Sequence, residues 1–417
     1  MDVLLKYGHR NQVCRFPEAG VKLCILRPGR QAAVADETAA LRAALAQPVG
    51  SPRLSALVSP GQTVAVVTSD ITRPCPSHRL VPPVLGELNA AGVTDDDVLV
   101  VLGLGVHRPH TAKERERLVG PAVAKRVRCI DSDPQDVARV GVTRQGTPVE
   151  VFRPVLAADV RICLGVIEYH YFAGYSGGLK ALVPGVSSAA TIQATHRRMT
   201  EPHAVAGVLE GNPVRADLDE AGELIGASFL LNVVVDEEHR IVKAVAGQPR
   251  LAHQAGCRAL DAFGRALVDR PADLVVVGAG GAPKDLNLYQ AQKALDNARH
   301  VVRPGGVILL VAECPEGLGS ETFAAWMRDP GGPSAILARI HREFVLGGHK
   351  AAAVAQAMTR AEVALVSAIP PQEARSYGFH PYDSVEAALA AALAKLPPDP
   401  LVVVMPEGGA LLPAVSS

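Results

Sequence analysis

The segment VRICLGVIEYHYFAGYSGGLKALVPGVSSAATIQATHRRM, Val160 to Met199, sets the fold class. It opens with VRICLGVIE (Val160–Glu168), a nearly continuous apolar run that reads as a strand covered on both faces. A glycine-rich turn follows. An Ala-rich stretch then begins at Ser187 or Ser188, either of which can cap a helix. Strand, tight loop and helix in this order make the repeating unit of an α/β domain.

The same alternation extends in both directions. TVAVVTS (Thr63–Ser69), DDVLVVLGLG (Asp96–Gly105), DLVVVGAGG (Asp273–Gly281), GVILLVAE (Gly306–Glu313), VALVSAI (Val363–Ile369) and LVVVMPEGG (Leu401–Gly409) read as further buried strands. Arg79–Ala91, Ser188–Met199, Leu251–Val268, Asp285–His300 and Val385–Leu396 read as helices, and GGHKAAAVAQAMTRAE is another Ala-rich helix. We therefore expect an α/β fold of two α/β domains with largely parallel sheets, joined by hinge helices. The expected boundaries are an N-terminal domain over residues 1–250, a hinge helix and linker over 251–271, and a smaller C-terminal domain over 272–417. In such sheets ligands sit beyond the carboxyl ends of the strands.

At 417 residues the chain suits two cores, and 48% hydrophobic residues supply the material to fill them. Lys+Arg and Asp+Glu both total 42. That balance argues against a nucleic-acid or anionic-membrane partner and favours a small-molecule ligand. No apolar run suits a signal peptide or a membrane span. The 7 cysteines are scattered without a CxxC pair, so we expect a reduced, cytoplasmic protein.

Unusual residues gather just after the strands. Asp70 and Arg73 follow TVAVVTS in a loop stiffened by Pro74 and Pro76. His107 follows DDVLVVLGLG, where an imidazole can serve as general acid or base. The GLG there is no dinucleotide fingerprint, because Arg108 takes the place of the third glycine. The richest cluster runs from His170 through Ser176, Gly177 and Gly178 to Lys180, with His196 in the following helix. Its glycines allow backbone N–H groups close to an anion. It fails as a P-loop, since Leu179 replaces the required glycine and Ala181 the Ser/Thr. A buried lysine there can be a covalent tether, a Schiff base or a phosphate contact, and histidine is a common ligand for nickel, copper or zinc. Finally, Asp285 can cap a helix on which Tyr289, Gln290 and Lys293 share a face suited to a carboxylate.

These clusters, in this order and spacing, resemble the nickel-dependent lactate racemase family, with HYFAGYSGGLKALVPGVSSAATIQATH the most specific part. The resemblance implies an N-terminal cofactor-binding domain and an active site in the interdomain cleft. It implies a nickel-pincer nucleotide (a pyridinium-3,5-bisthiocarboxylic acid mononucleotide holding nickel) covalently tethered at Lys180, with His196 as metal ligand. By the same transfer His107 and His170 are the acid/base pair. Asp70, Ser176, Gly177 and Gly178 would hold the cofactor, and Arg73, Tyr289, Gln290 and Lys293 the substrate. The implied reaction is racemisation or C2 epimerisation of a 2-hydroxy acid, lactate by default, by proton-coupled hydride transfer. Partners would be that substrate and cofactor-delivery proteins. Tyr169 stands where the family commonly has Pro, and Leu179 where it often has Arg; neither change removes a reacting group. The residues alone also fit a pyridoxal-phosphate enzyme using Lys180, or a non-catalytic nickel-nucleotide binding protein.

Overall fold

Val64–Ser69, Val98–Gly103 and Val160–Val166 are strands where the apolar runs predict them, buried along most of their length. The computed structural model describes residues 1–417 other than Pro28, Arg30, Gln31, Pro74, Glu237, Leu346, Ala410 and Ser417. The stiffening expected from Pro74 thus lies outside the described residues, while Pro76 is the N-cap residue of helix Ser77–Ala90.

The chain divides into two compact units, Gln31–Ala262 and Met1–Arg30 with Phe263–Ser417. The first holds a 6-stranded sheet in the order Ile241–Gly247, Phe229–Val235, Val160–Val166, Val64–Ser69, Val98–Gly103, Arg128–Asp131. All neighbours are parallel except the pair Phe229–Val235 and Ile241–Gly247. Leu80, Val84 and Leu88 of helix Ser77–Ala90 pack into one core with Val66, Val100 and Ile162 of the sheet. From Val64–Ser69 the chain proceeds to the neighbour on one side, Val98–Gly103; from Val160–Val166 it proceeds to the neighbour on the other, Phe229–Val235. Between the carboxyl ends of Val64–Ser69 and Val160–Val166 lies the switch point at which open α/β sheets hold their ligands.

The second unit holds a 6-stranded, wholly parallel sheet in the order His380–Pro381, Ala361–Val366, Val302–Val311, Ala272–Gly278, Leu401–Met405, Lys22–Ile25. Here the boundaries differ from those expected. Residues 1–30 belong with the C-terminal residues, because Lys22–Ile25 pairs with Leu401–Met405. The antiparallel hairpin Asp2–Tyr7/Arg10–Arg15 also buries Val3, Leu5 and Cys14 in that core. The helix expected over Leu251–Val268 runs from Pro249 to Gly264, and Arg265–Val268 is instead a strand paired with Leu412–Val415. The division between the units falls within that helix, after Ala262. Asp285 is not a cap. Asn287 caps helix Leu288–Ala298 by accepting from Gln290 N, and Asp285 instead accepts from the backbone N–H groups of Gly8 and Glu313. Among the described residues no helix is long and apolar enough to cross a membrane, and all the cysteines are free thiols.

Asp273 pins the second sheet. Its buried carboxylate accepts from Leu401 N at 2.9 Å, Arg303 Nε at 2.7 Å and Arg270 Nη1 at 3.2 Å. Burial works against its charge, but these bonds outweigh burial and hold the carboxyl below its ordinary value. The folded pKa is therefore the lower one. The stabilisation is complete above about pH 4 and disappears as the pH falls through the folded value. Asp273→Ala should lower the unfolding free energy of this unit by about 2 kcal/mol in denaturant titrations at neutral pH. An unchanged midpoint would show that the three bonds contribute nothing net.

Candidate active site

Three adjacent strands deliver the candidate residues to one sheet edge. Val64–Ser69 ends at Asp70, Val98–Gly103 runs into the turn carrying His107, and Val160–Val166 leads to His170. Asp70 is buried, and its Oδ2 lies 2.6 Å from His107 Nδ1 while Thr72 donates to Oδ1 at 2.8 Å. Burial alone would raise the Asp70 carboxyl; the hydrogen bond and charge of His107, the Thr72 bond and the Arg73 charge outweigh it and hold it low. An ionised carboxylate only accepts, so His107 carries a proton on Nδ1.

A second His–Asp pair supports this loop. His110, 5% exposed, lies with Nδ1 2.7 Å from Asp131 Oδ1, and its Nε2 accepts from Ile71 N at 3.1 Å. The backbone beside Asp70 is thereby fixed. The neighbouring turn is fixed too, by Gly105 N donating to Gly185 O at 2.9 Å.

The glycine-rich segment folds back on itself. Tyr169–His170 pairs antiparallel with Gly174–Tyr175, His170 facing Gly174. Gly174 has φ +76°, and a Cβ there would lie 2.0 Å from Val208 O, so only glycine fits. The Ser176 hydroxyl closes the loop, donating to Val166 O and accepting from Glu168 N, each at 2.8 Å. Gly178 N donates to the buried Asn232 Oδ1 at 2.7 Å, and a Cβ on Gly178 would meet the His253 ring at 2.9 Å. Two groups expected to face a phosphate are therefore committed to holding the loop. Arg215, 2% exposed, donates to the carbonyl oxygens of Ala173 and Tyr175 and pairs with Asp219 at 3.2 Å.

His170, Lys180 and His196 meet around the buried Phe172 ring. His170 and His196 approach it edge-on, with centroids 4.5 and 5.0 Å away, and Lys180 Nζ lies 5.7 Å from its centroid. Ala173 N donates to His170 Nδ1 at 3.3 Å. Burial first, then the charges of Lys180 and Arg73, drive the His170 imidazolium well below its usual range. Burial, Arg73 and Arg215 likewise lower the Lys180 ammonium well below the ordinary lysine value. His196 is pushed down to about 3, by burial and then by Lys180. His170 and His196 are neutral near pH 7, and Lys180 gives up its proton more readily than an ordinary lysine. A neutral imidazole can take a proton or bind a metal, and a neutral amine is a nucleophile.

The other predicted residues lie in the second unit. Gln290 and Lys293 are exposed on helix Leu288–Ala298. Tyr289 packs against Phe323, centroids 5.8 Å apart, and Lys350 Nζ lies 5.3 Å from its ring. Phe172, Asn232, Arg215, His110, His253 and Asp261 escaped the reading of the sequence. Phe172 sits within the glycine-rich segment as its apolar centre, while the roles of the others come from partners distant along the chain, for which no local motif exists.

Fold and site together define a two-unit α/β protein whose first unit gathers His170, Lys180 and His196 around one buried ring. Family models match in both parts, the lactate racemase N-terminal domain over residues 7–207 and the lactate racemase C-terminal domain over residues 267–412. The chain belongs to the lactate racemase family, a family of nickel-using isomerases. It is 33% identical over 305 residues to the lactate racemase of Thermoanaerobacterium thermosaccharolyticum, covering 72% of this chain and 71% of that one. With the lactate racemase of Lactiplantibacillus plantarum it shares 32% over 301 residues, 70% of each chain. The solved lactate racemase apoprotein of T. thermosaccharolyticum superposes with a TM-score of 0.89 over 100% of both chains at 28% identity. A Thermotoga maritima structure, 19% identical with TM-score 0.61 over 89% of this chain and 100% of its own, shares the fold.

Two measurements probe the site's electrostatics. After reductive ¹³C-methylation the Lys180 methyl resonance should titrate at lower pH than those of the surface lysines, as read by NMR; titration together with them would contradict the downward shift. His253 is 3% exposed and is pushed down to about 3, chiefly by burial. Its folded pKa is the lower one, so the unfolded chain gains the extra proton below about pH 6.5 and stability falls with pH. That costs about 2 kcal/mol at pH 5. The decline in stability between pH 7 and pH 5 should flatten in His253→Gln; an identical slope would rule out this origin.

Proposed function

We propose that the protein racemises, or epimerises at C2, a 2-hydroxy acid, with lactate the first candidate, on a nickel-pincer nucleotide tethered to Lys180. The observation that carries the reading is the convergence of His170, Lys180 and His196 on the Phe172 ring. His107 is held at Nδ1 by Asp70, and His170 at Nδ1 by Ala173 N. An imidazole so held can take a hydroxyl proton and, as imidazolium, give it back.

The residues fit the cofactor. The Lys180 amine, whose charged form burial disfavours, suits a covalent tether, and His196 supplies one neutral imidazole, a ligand type suited to nickel. Asp70, Ser176, Gly177 and Gly178 are proposed to line it, the last two as backbone where a side chain would clash with Asn232 or His253. When bound, the cofactor would supply a two-electron acceptor and donor for the α-hydrogen. The chain's own residues handle charge and protons. Arg73 is proposed to hold the substrate carboxylate; Tyr289, Gln290 and Lys293 are proposed substrate contacts of the second unit. His107 removes the hydroxyl proton of one enantiomer as its C–H bond breaks, leaving a transient 2-keto acid. As the C–H bond re-forms on the opposite face, the carbonyl oxygen takes a proton from His170 in its imidazolium form, which becomes neutral imidazole; in the reverse direction the two histidines exchange roles. The enantiomers present their hydroxyls to opposite sides, so two histidines are required.

Holoprotein screened against short, aromatic and dicarboxylic 2-hydroxy acids should racemise at least one of them. Retained cofactor with no α-hydrogen exchange on any would favour a binding protein. Intact mass should place the cofactor on Lys180, and a borohydride-reducible near-visible band there would instead favour pyridoxal phosphate. His196→Ala should lose nickel; full metal content in that variant would remove His196 as the ligand. Asp70→Asn should lower kcat about 100-fold by releasing the His107 tautomer.

A further inference from the structure

Helix Pro249–Gly264 presents His253, Cys257 and Asp261, four residues apart, on one face. That face meets the glycine-rich segment. His253 Nε2 donates to Ser176 O at 2.8 Å, and Cys257 Sγ packs 3.5 Å from the same nitrogen. Asp261 accepts from Tyr169 OH at 3.0 Å, and Tyr175 OH lies 2.8 Å from both of its carboxylate oxygens. Tyr175 OH is also 3.1 Å from Gly207 O. Tyr169 and Tyr175 are register partners in the short ladder that also pairs His170 with Gly174, and their rings lie 5.5 Å apart. One carboxylate thus closes the ladder at the step next to His170.

We propose that Asp261 is a positioning residue for His170, acting through the Tyr169 and Tyr175 hydroxyls. His170 sits between two constraints. Its Nδ1 is held by Ala173 N on the inner turn, and its backbone is held by the Tyr169–Tyr175 step. Arg215 secures the opposite side of the same turn through the Ala173 and Tyr175 carbonyl oxygens. Without Asp261 the Tyr169 strand keeps its backbone pairing but loses the anchor that sets its angle. The Ala173–His170 bond, already 3.3 Å long, then slackens and His170 Nε2 loses its aim. Misplacement of a reacting group by about 1 Å can cost on the order of 100-fold in rate.

The kinetic arm of the test rests on the acid–base reading of His170; the spectroscopic arm does not. In Asp261→Ala we expect kcat for the 2-hydroxy acid to fall about 10- to 100-fold with KM little changed. Tyr169→Phe, which removes one hydroxyl from a half-buried ring, should move kcat the same way by less, and Asp261→Asn, which keeps an acceptor oxygen, should restore part of it. In ¹⁵N-histidine-labelled full-length protein, the His170 resonance (assigned with His170→Gln) should show the Nε2–H tautomer in the parent. In both Asp261→Ala and Tyr169→Phe it should move toward a mixture of tautomers. A device that only stabilised the fold would lower the melting temperature and leave kcat and the His170 signal of the folded protein unchanged. That result overturns the proposal, and if Asp261→Ala does not fold, Tyr169→Phe decides it. A parent holoprotein that racemises nothing would sink the function while leaving the His170 signal to judge the brace.

Discussion

Burial next to fixed positive charge governs this site. Arg73 acts on His170, Lys180 and His196 alike, and Arg215 acts on His170 and Lys180. In a half-dry cluster each further proton would add like charge to like charge, so protons bind there less readily. One electrostatic condition therefore lowers the proton affinity of His170, Lys180 and His196 together. It also leaves a positive surplus that an anionic carboxylate or phosphate would neutralise. The nearby carboxylate, Asp70, does not relieve it, because it is bound to His107 and Thr72.

Such a cluster persists only if its backbone cannot rearrange to let water in, and the loop is accordingly held by groups that do no chemistry. Arg215, Asn232, Ser176 and His253 each hold backbone atoms between Val166 and Gly178. The glycines are the counterpart of these anchors: at Gly174 and Gly178 the anchoring element comes too close for a Cβ. The Asp131–His110 pair does the same for the neighbouring loop through Ile71 N.

What was legible in the sequence follows from range. Long apolar runs fix strands because burial on both faces is a local property, so the seven strands expected from such runs stand in the two large sheets. Asp70, His107, His170 and Lys180 were visible because they follow strands or sit among glycines. Lys22–Ile25 was not visible: a short strand becomes one only by pairing with Leu401–Met405, at the far end of the chain. Asp285 misled because an Asp before a helix is a good cap in isolation; Asn287 lies nearer the first turn and takes the role, while Asp285 is drawn to Gly8 and Glu313. Arg215 and Asp261 look like ordinary helix residues until the loop they hold is seen.

Tyr169 joins these two kinds of information. In the sequence it is a departure, standing where the family commonly has Pro before the histidine proposed here as acid/base. A proline there would fix φ through its ring and restrict the residue before it. Tyrosine gives up that backbone constraint. In its place it gains a hydroxyl that reaches Asp261, a carboxylate it shares with Tyr175. The backbone leading into His170 is thus held from outside by a side-chain bond instead of from within by a ring. A covalent restraint acts in every state of the chain, whereas a hydrogen-bonded one exists only where helix Pro249–Gly264 is docked. Asp261, the residue proposed to orient His170, lies in the last turn of that helix, so the restraint depends on how far the helix stays wound at its carboxyl end.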